Sequence, residues 1–139
     1  RSLMAPASGA ARGAYVLADL GAGKPRAILM ASGSEVQLIV EAGQKLAAEG
    51  IAVRVVSFPS WELFAAQDEA YRKSVLPDEL EKRLAVEAGI AMGWERWVGA
   101  KGQVLSIERY GASAPYQTIY EKFGFTAANI SALVRGMLA

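Results

Sequence analysis

The sequence predicts an α/β domain, and three observations carry that reading. Residues 26–31 are a short apolar run bounded by turn residues, residues 36–47 repeat apolar side chains at helical spacing, and residues 51–58 are dense in valine. Strand, helix and strand in that order make a βαβ unit, whose strands run parallel because a crossover helix joins them.

Each element follows from its local chemistry. Residues 1–13 are rich in Ala, Gly and Ser and show no period that could build a core face, so they are expected to be a linker or appended remnant without order. The first residue is Arg rather than Met, which hints at a fragment or a processed chain. The domain is expected over residues 14–139. Tyr15 to Asp19 reads as a short strand and Gly21 to Pro25 as a turn. Val36, Ile39, Val40, Gly43, Leu46 and Ala47 align on one helix face, with Glu41 and Lys45 four apart on the other. Ser32 or Ser34 is expected to cap this helix and Gly50 to end it. Pro59 breaks the next strand, and Ser60 can cap a short helix carrying Trp61, Leu63 and Phe64. A second piece spans about 68–75 and stops near Pro77. Residues 78–92 fit either a helix face or a buried strand. Trp94, Trp97 and Val98 mark a helical turn or two, and residues 103–108 another strand. Pro115 is expected to open a helix bearing Ile119, Tyr120 and Phe123, closed by Gly124. Thr126 then caps a last helix whose Ile130, Leu133, Val134, Met137 and Leu138 share a face.

Composition narrows the function. A 139-residue chain that is 53% hydrophobic and 21% charged can bury a core without metal or disulfide staples. A formal charge of +1 with no basic run names no nucleic-acid partner. No apolar stretch approaches the ~20 residues that cross a bilayer, and the N-terminus lacks a signal-peptide core. Without Cys there is no thiol catalysis, thiolate metal site or disulfide; without His the commonest general base and metal ligand are gone. Missing disulfides suit the cytoplasm.

Few residues invite chemistry. Gly23-Lys24 lacks the preceding glycine and the following hydroxyl of a phosphate-binding loop, and Pro25 has no N–H to donate. Gly111-Ala-Ser113 resembles a nucleophile elbow, but no His exists to activate the serine. Ser32-Gly33-Ser34-Glu35 follows a strand and opens a helix, where N–H groups favour anions; Glu35 opposes that charge, and helix capping is the plainer reading. A candidate ligand site therefore joins Ser32, Gly33 and Ser34 with Arg109, Gly111 and Ser113 at the C-terminal ends of the strands. The carboxylates between Trp61 and Glu81 are interleaved with Lys and Arg and read as a solvated face. Trp94 and Trp97 read as packing residues.

Read as a string, residues 14–138 resemble the C-terminal domain of transketolase. The resemblance rests on Ala31-Ser-Gly-Ser-Glu-Val36, Val53-Arg-Val-Val-Ser-Phe-Pro-Ser60, Tyr71-Arg-Lys-Ser-Val-Leu-Pro77, Val86-Glu-Ala-Gly-Ile90, Tyr110-Gly-Ala-Ser-Ala-Pro115 and Lys122-Phe-Gly-Phe-Thr126, in that order and spacing. Related thiamin enzymes share the domain type; Ser74 to Pro77 and Gly111 to Pro115 favour transketolase. The resemblance implies a three-layer α/β/α domain with a mixed, mostly parallel five-stranded sheet whose first strand is antiparallel, and it turns residues 83–88 towards a strand. It implies a cytoplasmic parent enzyme that transfers a two-carbon ketol unit between sugar phosphates in the pentose phosphate pathway, with thiamin diphosphate and Mg²⁺ or Ca²⁺. In that family the active site lies between the upstream thiamin-binding domains of a homodimer. No catalytic, cofactor-binding or metal residue is thus carried onto this chain. It is expected to pack against those domains and the second subunit and to be inactive alone. The rival reading is a regulatory module that binds a small anion.

Overall fold

The computed structural model describes residues 7–89, 91–106, 117–120 and 124–139. Six strands are described: β1 (Tyr15–Leu20), β2 (Ala27–Ala31), β3 (Val53–Ser57), β4 (Arg83–Glu87), β5 (Gln103–Ser106) and β6 (Gln117–Tyr120). They form one sheet in the order β1-β3-β2-β4-β5-β6, parallel except for β1, which runs antiparallel to β3. The register of β1 slips between Val16 and Ala18, an edge bulge. The α/β class and the mixed, mostly parallel sheet are as the sequence and the resemblance lead one to expect.

Strand β2 sits centrally and is apolar throughout, so it needs cover on both faces. Ala27, Leu29 and Ala31 point to one face; Ile28 and Met30 point to the other. The first face is covered by α1 (Glu35–Ala48) and α5 (Ala127–Leu138). The second is covered by α2 (Trp61–Ala65), α3 (Glu69–Val75) and α4 (Glu95–Val98). Three layers result. Ser131, fully buried, joins the two long helices: its hydroxyl lies 2.8 Å from the Ala127 carbonyl and 3.3 Å from that of Ala42 and shares its single proton between them.

Helix ends obey the same physics. After α1, Gly50 (φ +88°) donates to Ala47 O at 3.0 Å and Ile51 to Leu46 O at 2.9 Å, a Schellman end whose left-handed residue is glycine. The Ser60, Asp68 and Thr126 side chains cap α2, α3 and α5 by accepting from Leu63, Tyr71 and Asn129 N–H at 3.2, 2.8 and 3.1 Å. Neither Ser32 nor Ser34 caps α1. Ser34 itself has helical angles (φ −70°, ψ −19°), and its hydroxyl donates to Glu35 Oε2 at 3.1 Å instead.

Two further expectations are corrected. Residues 117–120 belong to β6, not to a helix opened at Pro115. Gln-Thr-Ile-Tyr carries strand-favouring residues, and the open edge of β5 supplies a ladder, from Gln103 opposite Gln117 to Ser106 opposite Tyr120. This sixth strand extends the expected five. Residues 7–12, expected as disordered linker, form a turn of 3-10 helix. They are held by tertiary contacts: Gly13 O accepts from Ser60 N at 2.9 Å, and the Arg12 guanidinium lies 4.8 Å from the Tyr71 ring centroid. Gly13 adopts φ +89°, and a Cβ there would sit 2.3 Å from Phe64 N, so the junction admits no side chain. No helix among the described residues is long and apolar enough to cross a membrane.

Candidate functional site

The chain leaves β2 through α1 on one face of the sheet and leaves β4 through α4 on the other. Between the C-terminal ends of these adjacent parallel strands the loops therefore diverge, which is where open α/β sheets form a crevice. A cleft of about 250 Å³ lies there, lined by Ser32 beyond β2, Phe58 and Ser60 beyond β3, Glu62, Glu87 at the end of β4, and Trp94.

Its walls are packed and hydrogen-bonded. Trp94 is fully buried and packs edge-on against Phe58 and Trp61, with ring centroids 5.5 and 5.3 Å apart. The indole Nε1 donates to Glu87 Oε1 at 2.9 Å, and Gly89 N donates to Glu87 Oε2 at 2.9 Å. These two bonds hold the Glu87 carboxylate at the cleft edge. Ser60 Oγ is committed to its helix cap, whereas the Ser32 hydroxyl makes no hydrogen bond within the described residues. Glu62 and Glu87 give the cleft negative charge, which suits a neutral polar or cationic group better than an anion.

Of the sequence-predicted residues, Ser32 lines this cleft. Gly33 forms the turn after it, and a Cβ there would meet nothing within 4 Å, so the turn is open to approach. Ser34 is turned to Glu35. Arg109, Gly111 and Ser113 lie outside the described residues. Sequence reasoning did not single out Glu87; Trp94, expected as a packing residue, is fully buried in the aromatic cluster and also borders the cleft. The usable signal was that Glu87 ends a strand next to the reversal in strand order, a fact that needs the topology. No cluster of three or more acidic side chains able to hold a metal occurs among the described residues.

Comparison with known proteins agrees with this fold. The profile described as "Transketolase-like TK C-terminal domain" matches residues 13–126. The chain is 50% identical over 130 residues to a transketolase of Geobacillus stearothermophilus, covering 94% of this chain and 20% of that protein. It is 53% identical over 128 residues to transketolase 2 of Escherichia coli strain K12, covering 92% and 19%. Among solved structures, transketolase from Leishmania mexicana superposes with a TM-score of 0.76 at 35% identity, covering 96% of this chain and 19% of that one. A Pichia stipitis transketolase in complex with sedoheptulose 7-phosphate gives 0.78 at 31%, covering 98% and 19%. The chain thus spans about a fifth of the length of these relatives. By profile, sequence and fold, it belongs to the transketolase C-terminal domain family.

Proposed function

We propose that this chain serves as the C-terminal domain of a cytoplasmic, homodimeric transketolase, beginning near residue 14. The whole enzyme moves a two-carbon ketol unit between sugar phosphates in the pentose phosphate pathway, and this domain packs against the rest without doing the chemistry. The observation that carries the proposal is identity of about half over more than nine-tenths of the chain to proteins named transketolase. Supporting it, the sequence contains neither His nor Cys, the side chains most used as general base and as thiol nucleophile.

Thiamin diphosphate and its Mg²⁺ or Ca²⁺ are assigned to the upstream domains, because the described residues of this chain do not fit them. A diphosphate in the Ser32 cleft would meet Glu62 and Glu87. The clefts described are also smaller than the ~300–1,000 Å³ pockets that enclose such ligands.

Replacing the matching segment of E. coli transketolase 2 with this chain tests the assignment. A folded chimera that retains ketol transfer supports it; a folded chimera without activity overturns it.

A second reading keeps a regulatory ligand at Ser32, Gly33 and Ser34, because that turn opens on the crevice between β2 and β4. With Glu62 and Glu87 alongside, an anion there would depend on Arg109, Gly111 and Ser113. An Arg109→Gln variant that leaves small-anion binding unchanged would remove that dependence.

A further inference from the structure

Strand β4 reaches a second cleft at its other end. Arg83, its first residue, lies at the N-terminal edge of the parallel strands, opposite the Ser32 cleft. There a cleft of about 210 Å³ opens beside α3 and α4, with Arg72, Arg83 and Arg96 around an apolar wall of Phe64, Leu76 and Trp97.

None of these three guanidinium groups forms an ion pair among the described residues. Arg72 Nε donates to Gln67 O at 3.0 Å. Arg83 donates only to carbonyls: Leu80 O at 2.8 Å, Trp97 O at 2.8 Å, Pro77 O at 2.9 Å and Leu76 O at 3.4 Å. The exposed Arg96 lies 4.5 Å from the Trp97 ring centroid and has no hydrogen-bond partner among the described residues. Lys73 also lines the cleft, but its ammonium bridges Glu69 Oε2 at 3.2 Å and Asp78 Oδ2 at 3.1 Å, which raises its pKa through Asp78 first and then Glu69. Its charge is spent on the two carboxylates of the rim. Four cations against two carboxylates leave two positive charges in excess.

Burial pushes the Arg83 pKa down, opposed by Asp78 and Glu81 acting through space, so the guanidinium is desolvated without a bonded counter-charge. Carbonyls satisfy its hydrogen bonds but do not neutralise it.

We propose that the cleft of Arg72, Arg83 and Arg96 binds a phosphate dianion, free or as the phosphate of a small monoester. Two excess charges match a dianion; Arg72 and Arg96 have guanidinium N–H groups to offer its oxygens, while Arg83, most of whose N–H groups are held by carbonyls, contributes chiefly its charge. The cleft volume of about 210 Å³ exceeds that of a phosphate. This site is separate from the Ser32 cleft and does not rest on the transketolase assignment.

The test titrates the 139-residue chain with inorganic phosphate, using chloride at matched ionic strength as control. Thermal stability and the Arg Nε–H resonances are the readouts. The expected result is saturable stabilisation by phosphate, with Arg72 and Arg96 resonances shifting along the same isotherm. Arg96→Gln removes an exposed side chain, should fold normally, and should weaken phosphate about tenfold, as befits loss of a charge-assisted hydrogen bond. Arg72→Gln, a second variant, should weaken it similarly. A phosphate response that fails to saturate, equals that of chloride, or is unchanged in both variants overturns the proposal.

Discussion

The two faces of the sheet solve one burial problem in different ways. The face under α1 and α5 is aliphatic: Leu29, Ile39, Leu46, Val53, Val55, Leu84, Ile130 and Val134 bury fully or nearly so, and among the described residues none buried there is aromatic. Two helices of 14 and 12 residues cover it. The opposite face is filled by Phe58, Phe64, Trp94 and Trp97, with ring centroids 5.1 to 5.5 Å apart where they meet. Helices of only five, seven and four residues lie over it. Long helices satisfy their own backbone over most of their length. Short ones are nearly all ends, and their carbonyls need outside donors. Arg54 supplies Ser74 O and Val75 O at 2.8 and 3.1 Å while also gripping Asp19 at 2.8 and 3.1 Å; Arg83 supplies Leu76 O and Pro77 O. The aliphatic face is built for packing. The aromatic face brings charged side chains with its helix ends, and the clefts found among the described residues open beside them.

Substitutions can break that comparison, the largest effect coming first. Trp94→Ala removes the indole between Phe58 and Trp61 and leaves Glu87 without its indole donor, so a loss of about 3–5 kcal/mol is expected in urea unfolding. On the aliphatic face Ile39→Val should cost about 0.5–1.5 kcal/mol. Next, Arg83→Met strips the donors from carbonyls at the ends of α3 and α4 and should cost roughly 2–3 kcal/mol. Its counterpart Arg135→Met, which breaks the half-exposed pair with Glu49, should cost under about 1 kcal/mol, and the difference should shrink in high salt. The smallest effects concern caps. Thr126→Ala should lose about 1 kcal/mol, whereas Ser34→Ala should change stability by less than ~0.5 kcal/mol because its hydroxyl holds no helix N–H.

That last pair explains what the sequence could reveal. Ser60, Asp68 and Thr126 precede their helices with extended backbone, as a side-chain cap requires, and Ser60 and Thr126 are recognisable from local order alone. Ser34 looks the same as a letter but already lies in the helical turn, so the cap geometry fails. The α1 face was legible because its period is local, and β2 because an apolar run between turns has few alternatives. The strand at 83–87 was not, since periodicity fits both readings there; the family resemblance decided it. Residues 117–120 form a strand because β5 offers an edge, and residues 7–12 are ordered because Tyr71 and Ser60 reach them; both causes are distant in sequence. The sites divide the same way. Ser32 was visible between a strand and a helix, but Glu87 and Trp94 join it only through strand order. Arg72, Arg83 and Arg96 come from three elements and share no motif.

The most direct measurement of the central claim is ketol transfer by the 139-residue chain alone, supplied with thiamin diphosphate, Mg²⁺, xylulose 5-phosphate and an aldose phosphate acceptor. The account predicts a folded protein with no turnover above the uncatalysed rate, since the sequence contains neither His nor Cys and none of the clefts found among the described residues fits the cofactor. Turnover that rises in proportion to the concentration of the chain would contradict it.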